Sequence, residues 1–599
     1  MSVVAAGVAG AVLVAAGSGA KAKSAVSRGG TLNVGWEQSF GFTDGFDPTG
    51  EYLGDAQGIY NNLMLRMLVG YKHLPGGPGN QVVPDAASSL PKPTNGGKTY
   101  TFHLRSGLKF GPPVNRAITS KDYLYAMERL AKPKNGAQYA FYYSVIKGFD
   151  AYGAGKAKSI SGIKTPNDST IVFNLTKPTG DFLYRMSMPA TGPIPPEVGK
   201  CFEGQPQKYG LDVISSGPYM INGIDKVDVS SCSNIKPASG FDGQTILDLV
   251  RNPNYDQSTD PYRKNYADEF RFIVNASNTD IYNKIEAGEL DMAVSSIPPQ
   301  VLRKYATTPS LKQYFHQNSG DRTWYLTLNL TQPPFDDVHV RKAMNWVMDK
   351  ANLVKAWGGP NIGAVANHIA PDSLFGNQLA EFQPYKTPGD HGSVAKAKAA
   401  MKGSKYDTNK DGTCSAKECK GVLLLADTRA VDTAMLPVIE ASAKKIGITF
   451  TVRTINGAYP TIQTPSKNIP IAERPGWGKD YADPLTFFSP LFDGRTIIAH
   501  GNTNYSLVGI TPAQCTALKV KGNCTGVPSI NSQLDRCAAL LGQPRVTCYE
   551  KLDRFLMTSV VPWVPYLWSY VTRITSKNVT KYEYDQSFTT PAYAQIAVK

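Results

Sequence analysis

Val422 to Val452 reads VLLLADTRAVDTAMLPVIEASAKKIGITFTV, and the changes of hydrophobic period within it decide the fold class. Val422 to Ala426 is an unbroken apolar run, the pattern of a strand buried on both faces. Val431 to Ile446 carries apolar residues at helical spacing and stops at Gly447, which can end a helix in a left-handed conformation at no steric cost. Ile448, Phe450 and Val452 then alternate as a second strand. Strand, helix and strand in such a short span make a βαβ unit with parallel strands, so the expected class is α/β. Pro437 has no N–H to give to the helix and is expected to kink it or delay its start.

Outward from this unit the chain alternates strands and helices between Pro/Gly-rich loops such as Leu74 to Asn80 and Pro91 to Gly97. Thr99 to Leu104 reads as a strand, and Ser120 as the N-cap of a helix bearing Tyr123, Leu124, Met127 and Leu130. Ile163 and Thr170 to Leu175 flank the turn Pro166-Asn167-Asp168 and read as a hairpin. With 599 residues, far more than one core accommodates, the chain should form two or three domains. The net charge of +15 is spread over single and paired Lys and Arg. No basic stripe with interleaved aromatics is present, which argues against nucleic acid and for attraction to an anionic cell envelope.

Export is the expected destination. Residues 1–22 read as a signal peptide, with the apolar run Val3 to Ala16 and the small residues Ser18 and Ala20 before Lys21. The eight cysteines fall into four sequence-local pairs, as expected of loops stapled in an oxidising compartment. Cys201 is matched with Cys232, Cys414 with Cys419, Cys515 with Cys524, and Cys537 with Cys548. No CxxC knuckle or HxxxH spacing supports a zinc site.

A candidate pocket follows the βαβ unit. Glu473 to Gly494, ERPGWGKDYADPLTFFSPLFDG, sets Asp480 and Asp483 among Trp477, Tyr481, Phe487, Phe488 and Phe492. Aromatic walls lower the local dielectric, so a carboxylate among them can capture one cationic group. Asp483, before Pro484, reads as the cap of a turn.

Nine segments, in order, resemble the family 5 extracellular solute-binding proteins, the peptide-binding and dipeptide-binding components of ABC importers. They are TYTFHLRSGLKF (Thr99 to Phe110), ITSKDYLYAMERL (Ile118 to Leu130), IVFNLTKPTGDFL (Ile171 to Leu183), SSGPYMI (Ser215 to Ile221), LVRNPNYD (Leu249 to Asp256), IEAGELDMA (Ile285 to Ala293), PPFDDVHVRKAMNWVMDKANLV (Pro333 to Val354), GWGKDYADP (Gly476 to Pro484) and VPWVPYLW (Val561 to Trp568). The resemblance implies a two-lobed, periplasmic-binding-protein-like clamshell of type II, joined by two crossover strands and carrying an extra inserted subdomain. Lobe one would take residues 30–60 and 190–321, the inserted subdomain 61–189, lobe two 322–568, and residues 569–599 would return to lobe one.

The resemblance also implies a function: an extracytoplasmic protein, monomeric and without an organic cofactor, that closes on a short peptide and presents it to a membrane permease. Asp480 occupies the family position that pairs with the peptide's free α-amino group, with Trp477 and Tyr481 beside it. Edge strands are expected to pair with the ligand backbone, with Ser215 to Tyr219 (including Gly217 and Tyr219) and Tyr325 to Asn329 (including Tyr325 and Asn329) as the candidates. Other readings stay open: the same fold binding a sugar or a nickel chelate, a peptide-sensing receptor, or a secreted hydrolase using Asp480 and Asp483. The chain has no GxSxG, HExxH or Rossmann fingerprint.

One further motif stands apart. Asp407 to Glu418, DTNKDGTCSAKE, fits the calcium-loop pattern D-x-[DN]-x-[DN]-G-x5-E. Its expected ligands are Asp407, Asn409, Asp411, the Thr413 carbonyl, Ser415 through water, and Glu418, around one structural Ca2+ in lobe two.

Overall fold

The structure, a computed structural model, describes residues 26–42, 45–137 and 139–599. The expected signal peptide, residues 1–22, lies outside the described residues.

Lobe one is built on a five-stranded mixed sheet in the order Met292–Val294, Thr31–Glu37, Glu269–Asn275, Ile246–Arg251, Tyr219–Ile221. Thr31–Glu37 lies parallel to both neighbours, and its alternate residues Leu32, Val34 and Trp36 are buried on one face. Between Thr31–Glu37 and Tyr219–Ile221 the chain forms a separate antiparallel sheet, Thr99–His103, Thr170–Asn174 and Ile163–Asn167, which contains the expected hairpin. The helix Ser120–Ala131 packs there. Its N-cap is Thr119 rather than Ser120, because Thr119 forms a reciprocal capping box with Asp122.

Lobe two has a seven-stranded sheet. Its path runs Gly363–Ala364, Trp563–Ile574, Phe315–Leu328, Ile471–Ala472, Val422–Asp427, Phe450–Ile455, with Gly476–Gly478 pairing to Phe315–Leu328 off that path. Val422–Asp427 and Phe450–Ile455 are parallel, joined by the helix Ala430–Lys444, so the βαβ unit forms as read. Pro437 lies inside that helix without delaying its start. Burial of Met435 and Ile439 against the sheet outweighs the one lost backbone bond. Leu424 is fully buried in the same core, and truncation to Ala there costs roughly 2–5 kcal/mol.

Two long strands link the lobes. Phe315–Leu328 and Trp563–Ile574 run antiparallel, from Phe315 opposite Ile574 to Thr327 opposite Trp563. Ile574 packs with Ile281 and Tyr305 in a lobe-one cluster, whereas Leu326, Leu328 and Val564 belong to the lobe-two core. The register between the two strands slips between Ser319 and Thr323. Asp321, inside the slip, takes a left-handed φ of 44° and accepts from Gln586 (2.7 Å), Ser319 (3.0 Å), Ser373 and the buried Lys479 ammonium. After the second crossover the chain returns to lobe one, where the Asn265 N–H donates to the Ala594 carbonyl at 2.7 Å.

All eight cysteines are joined in the four local pairs, with no free thiol among the described residues. Cys201 bridges to Cys232 with Cα atoms 5.2 Å apart, Cys515 to Cys524 at 6.5 Å, and Cys537 to Cys548 at 5.4 Å. The Cα atoms of Cys414 and Cys419 stand 5.9 Å apart, well within bridging range despite the turn-rich loop around them. The Cys537–Cys548 bridge ties the helix Asn531–Ala539 to the helix Gly542–Phe555, which carries Arg545.

Candidate functional site

The short strand Gly476–Gly478 has the first crossover strand on one side, with Trp477 opposite Thr323, and no strand on the other among the described residues. Gly476 permits this: a Cβ there would lie 2.1 Å from the Trp324 ring. Beyond Gly478 the chain turns between the lobes. Lys479 anchors the turn, pairing with Asp321 and donating to Asn80 Oδ1 of the inserted segment at 2.9 Å and to the Gln586 carbonyl. The next residue, Asp480, is thereby directed at the opposite lobe.

Asp480 accepts hydrogen bonds from two phenols of the inserted segment, Tyr142 Oη and Tyr139 Oη, the latter at 3.4 Å. No Lys, Arg or His forms an ion pair with it among the described residues. Burial pushes its carboxyl up to about 6, against the lowering pull of the two phenols and of Arg322. Arg322 lies on the first crossover strand, with its guanidinium 5.3 Å from the centre of the Trp324 ring. It has no carboxylate partner among the described residues. Its side chain is exposed, while desolvation by nearby protein lowers its pKa, and Asp480 and Tyr459 are among its electrostatic neighbours. A lone anion and a lone cation thus share the interlobe space.

Around them the walls are aromatic and charged. Arg474 stacks between Trp324 and Trp357, 4.9 and 4.5 Å from the ring centres, and pairs with Asp432 at 2.9 Å. Glu473 is buried beside Asp432, and burial together with that neighbouring carboxylate pushes its pKa to about 9, so it is neutral at pH 7. Two adjoining hollows open on this face. Both are shallow: one is lined by Tyr459, Ile462, Glu473 and Arg474, the other by Thr327, Asn329, Ile462 and Tyr505.

Tyr481 and Asp483 close one end of the site. The Tyr481 hydroxyl donates to Asp181 of the inserted segment at 2.5 Å, and its ring meets Tyr142 edge-on at 5.1 Å. Arg545 grips both Asp483 oxygens at 2.8 Å and reaches Asp181 at 3.4 Å. Burial alone would raise the Asp181 carboxyl, but Arg185 and Arg545 hold it down at about 2. Asp483 also accepts the Leu485 N–H at 2.9 Å, so the turn-cap reading stands, with Arg545 as an unforeseen partner.

The edge-strand expectations need correction. Gly217 and Tyr219 lie in the lobe-one interior: the Gly217 N–H goes to the Met64 carbonyl (2.7 Å), its carbonyl accepts from Asn252 (2.9 Å), and the Tyr219 hydroxyl donates to the Ala267 carbonyl (2.6 Å). Their polar groups are already committed. Tyr325 to Asn329 is flanked on both sides by strands, and the Tyr325 ring stacks on Trp563 at 3.4 Å. Asn329 nevertheless reaches the wall of a hollow. Tyr219–Ile221 is the outermost strand of its sheet but is fully buried, whereas Gly476–Gly478 presents a less buried edge. Trp477 is half-buried and spends its indole N–H on the Thr486 carbonyl at 2.8 Å. Tyr139, Tyr142 and Arg322 were missed. The first two stand in the aromatic run YAFYY at 139–143, the one signal that could have flagged them; Arg322 had none beyond its place at the lobe boundary.

Residues 81–497 match the bacterial extracellular solute-binding proteins, family 5, middle region. The chain is 26% identical over 480 residues to the periplasmic oligopeptide-binding protein OppA of Escherichia coli K12, covering 78% of each chain. It is 25% identical to a dipeptide-binding protein of the same organism, covering 71% of this chain and 72% of that one. Among solved structures, the clavulanic acid biosynthesis oligopeptide binding protein 2 superposes with a TM-score of 0.78 at 22% identity, covering 96% of both chains, and so shares the two-lobed fold.

Proposed function

The chain belongs to the bacterial extracellular solute-binding proteins of family 5, and from that premise we propose that it captures short peptides between its lobes and delivers them to the membrane permease of an ABC importer. The observation that carries the reading is Asp480, an interlobe carboxylate served only by phenols and lacking any cationic partner among the described residues. A peptide's α-ammonium supplies that charge, and the phenols of Tyr139 and Tyr142 orient the carboxylate toward it. The unpartnered Arg322 offers a guanidinium for a carboxylate of the same ligand, and the open edge of Gly476–Gly478 offers backbone groups for its main chain.

The paired charges favour a zwitterionic ligand over a sugar. The hydrolase reading loses its second carboxylate, because both Asp483 oxygens are held by Arg545. Family membership supports an extracytoplasmic location and a permease partner. A monomer suffices, since both halves of the site come from one chain. No helix among the described residues is long and apolar enough to cross a membrane.

Mass spectrometry of material released by denaturing the as-purified protein tests the reading. Short peptides with free amino termini are the expected result, whereas a sugar or a metal chelate as the dominant species would overturn it.

A further inference from the structure

The loop from Asp407 to Glu418 lies in lobe two, between the helix Val394–Met401 and the first strand of the βαβ unit, and capturing a peptide makes no use of it. Asp407 is fully buried. Its Oδ2 accepts the Gly412 N–H at 2.9 Å, which turns the carboxylate toward the centre of the loop, and its Oδ1 is buried there with no hydrogen-bond partner. A carboxyl oxygen sealed from water and left unpaired is costly, and a cation can serve it.

The other groups of the motif lie on the same tight turn. Lys410 and Gly412 take left-handed φ angles of 59° and 87°, wrapping the backbone around the carboxylate. Asn409 and Asp411 contact each other at 3.0 Å, and Asp411 Oδ1 is steadied by the Thr413 N–H at 2.7 Å. The Lys410 ammonium is drawn away, donating to the Ser404 carbonyl at 2.9 Å, so no lysine neutralises Asp407. Ser415 is occupied by the Thr408 N–H at 2.9 Å and can act only through a water. Glu418 stands half-buried on the turn Lys417–Cys419, which the Cys414–Cys419 bridge ties to the loop. Among the described residues no three acidic, thiol or imidazole side chains are already gathered around a metal, so Glu418 has to swing in to complete the set.

We propose that this loop binds one calcium ion, held by Asp407 Oδ1, Asn409, Asp411, the Thr413 carbonyl and an inward-swung Glu418. A ring of hard oxygen donors with two or three carboxylates suits Ca2+, and its irregular, adjustable geometry suits Mg2+ poorly. The ion ties the helix end to the βαβ unit, to which the loop is already joined by the Cys414 N–H donating to the Ile446 carbonyl at 2.8 Å. It is a strut, remote in sequence from Asp480.

Calorimetric titration of CaCl2 into full-length, EGTA-stripped protein should show one saturable equivalent, with little heat from MgCl2. The melting temperature should climb with the logarithm of calcium concentration above the dissociation constant. Asp407 is a poor target because its burial couples it to folding. Asp411→Ala and Glu418→Gln change accessible side chains, and each should weaken calcium binding at least tenfold while leaving the melting temperature in EGTA unchanged. Absence of a saturable calcium equivalent, or wild-type affinity in both variants, would overturn the proposal.

Discussion

The Tyr142 hydroxyl of the inserted segment donates its hydrogen to the Asp480 carboxylate of lobe two, closing the gap between the lobes. One phenol thus touches the group that awaits a ligand and signals that the lobes have met. Tyr142→Phe keeps the ring packed on Tyr481 and deletes only the donor. Losing a hydrogen bond to a charged group costs roughly 1.5–3 kcal/mol, so peptide affinity should fall by roughly ten- to a hundredfold. Titration calorimetry reads this, and unaltered affinity would mean that the contact serves closure alone.

Binding should also depend on pH through Asp480. Its carboxyl is raised to about 6 by burial, and a cationic ligand prefers the ionised form. As pH falls below about 6 the group protonates and affinity should drop about tenfold per unit. The ligand-free protein should behave oppositely. A carboxyl whose folded pKa exceeds its unfolded value of 3.8 takes up its proton earlier in the folded state, so this group favours folding as pH falls from about 6 toward 3.8. Parallel calorimetry at pH 5 and pH 7 decides it, and equal affinities would remove Asp480 from the recognition step.

Arg545 is the cation on which the closed end of the site depends. It serves Asp483 and Asp181 at once, from a position almost wholly buried. Arg545→Met leaves both carboxylates interior with only Arg185 nearby, and removal of one partner from such a cluster costs ~3–5 kcal/mol. Urea unfolding should report that loss. A change below about 1 kcal/mol would show that water replaces the guanidinium.

Much of this architecture was legible in the chain, because period and breaker residues are local properties. The switch from the continuous run Val422–Ala426 to helical spacing and then to alternation specified the βαβ unit, and GWGKDYADP marked the segment that carries Asp480. The cysteine pairs were legible for the same reason, since even the widest, Cys201 with Cys232, spans only 31 residues. The misreadings at the site concern what lies across a gap in sequence. Tyr325 to Asn329 alternates as a half-buried strand would, and nothing local reveals that Ile471–Ala472 and Trp563–Ile574 occupy its two sides. Tyr142 lies 338 residues from Asp480, and Arg545 lies 62 from Asp483, so neither pairing leaves a spacing to detect. Pro437 misled in another way. Its local penalty is real, but burial of the surrounding helix face is larger.

Ligand capture rests on one charge, and the most direct test compares wild type with Asp480→Asn by titration calorimetry, using a pool of short peptides and their N-acetylated counterparts. Asn keeps the shape of the side chain and removes the anion, leaving a buried ammonium unpaired. The variant should therefore fold normally and lose ~2–5 kcal/mol of binding free energy for free peptides. Acetylated peptides should bind wild type and variant alike, and weakly. Undiminished binding of free peptides by Asp480→Asn, or equally tight binding of acetylated and free peptides by wild type, would contradict the claim that Asp480 captures the ligand's amino terminus.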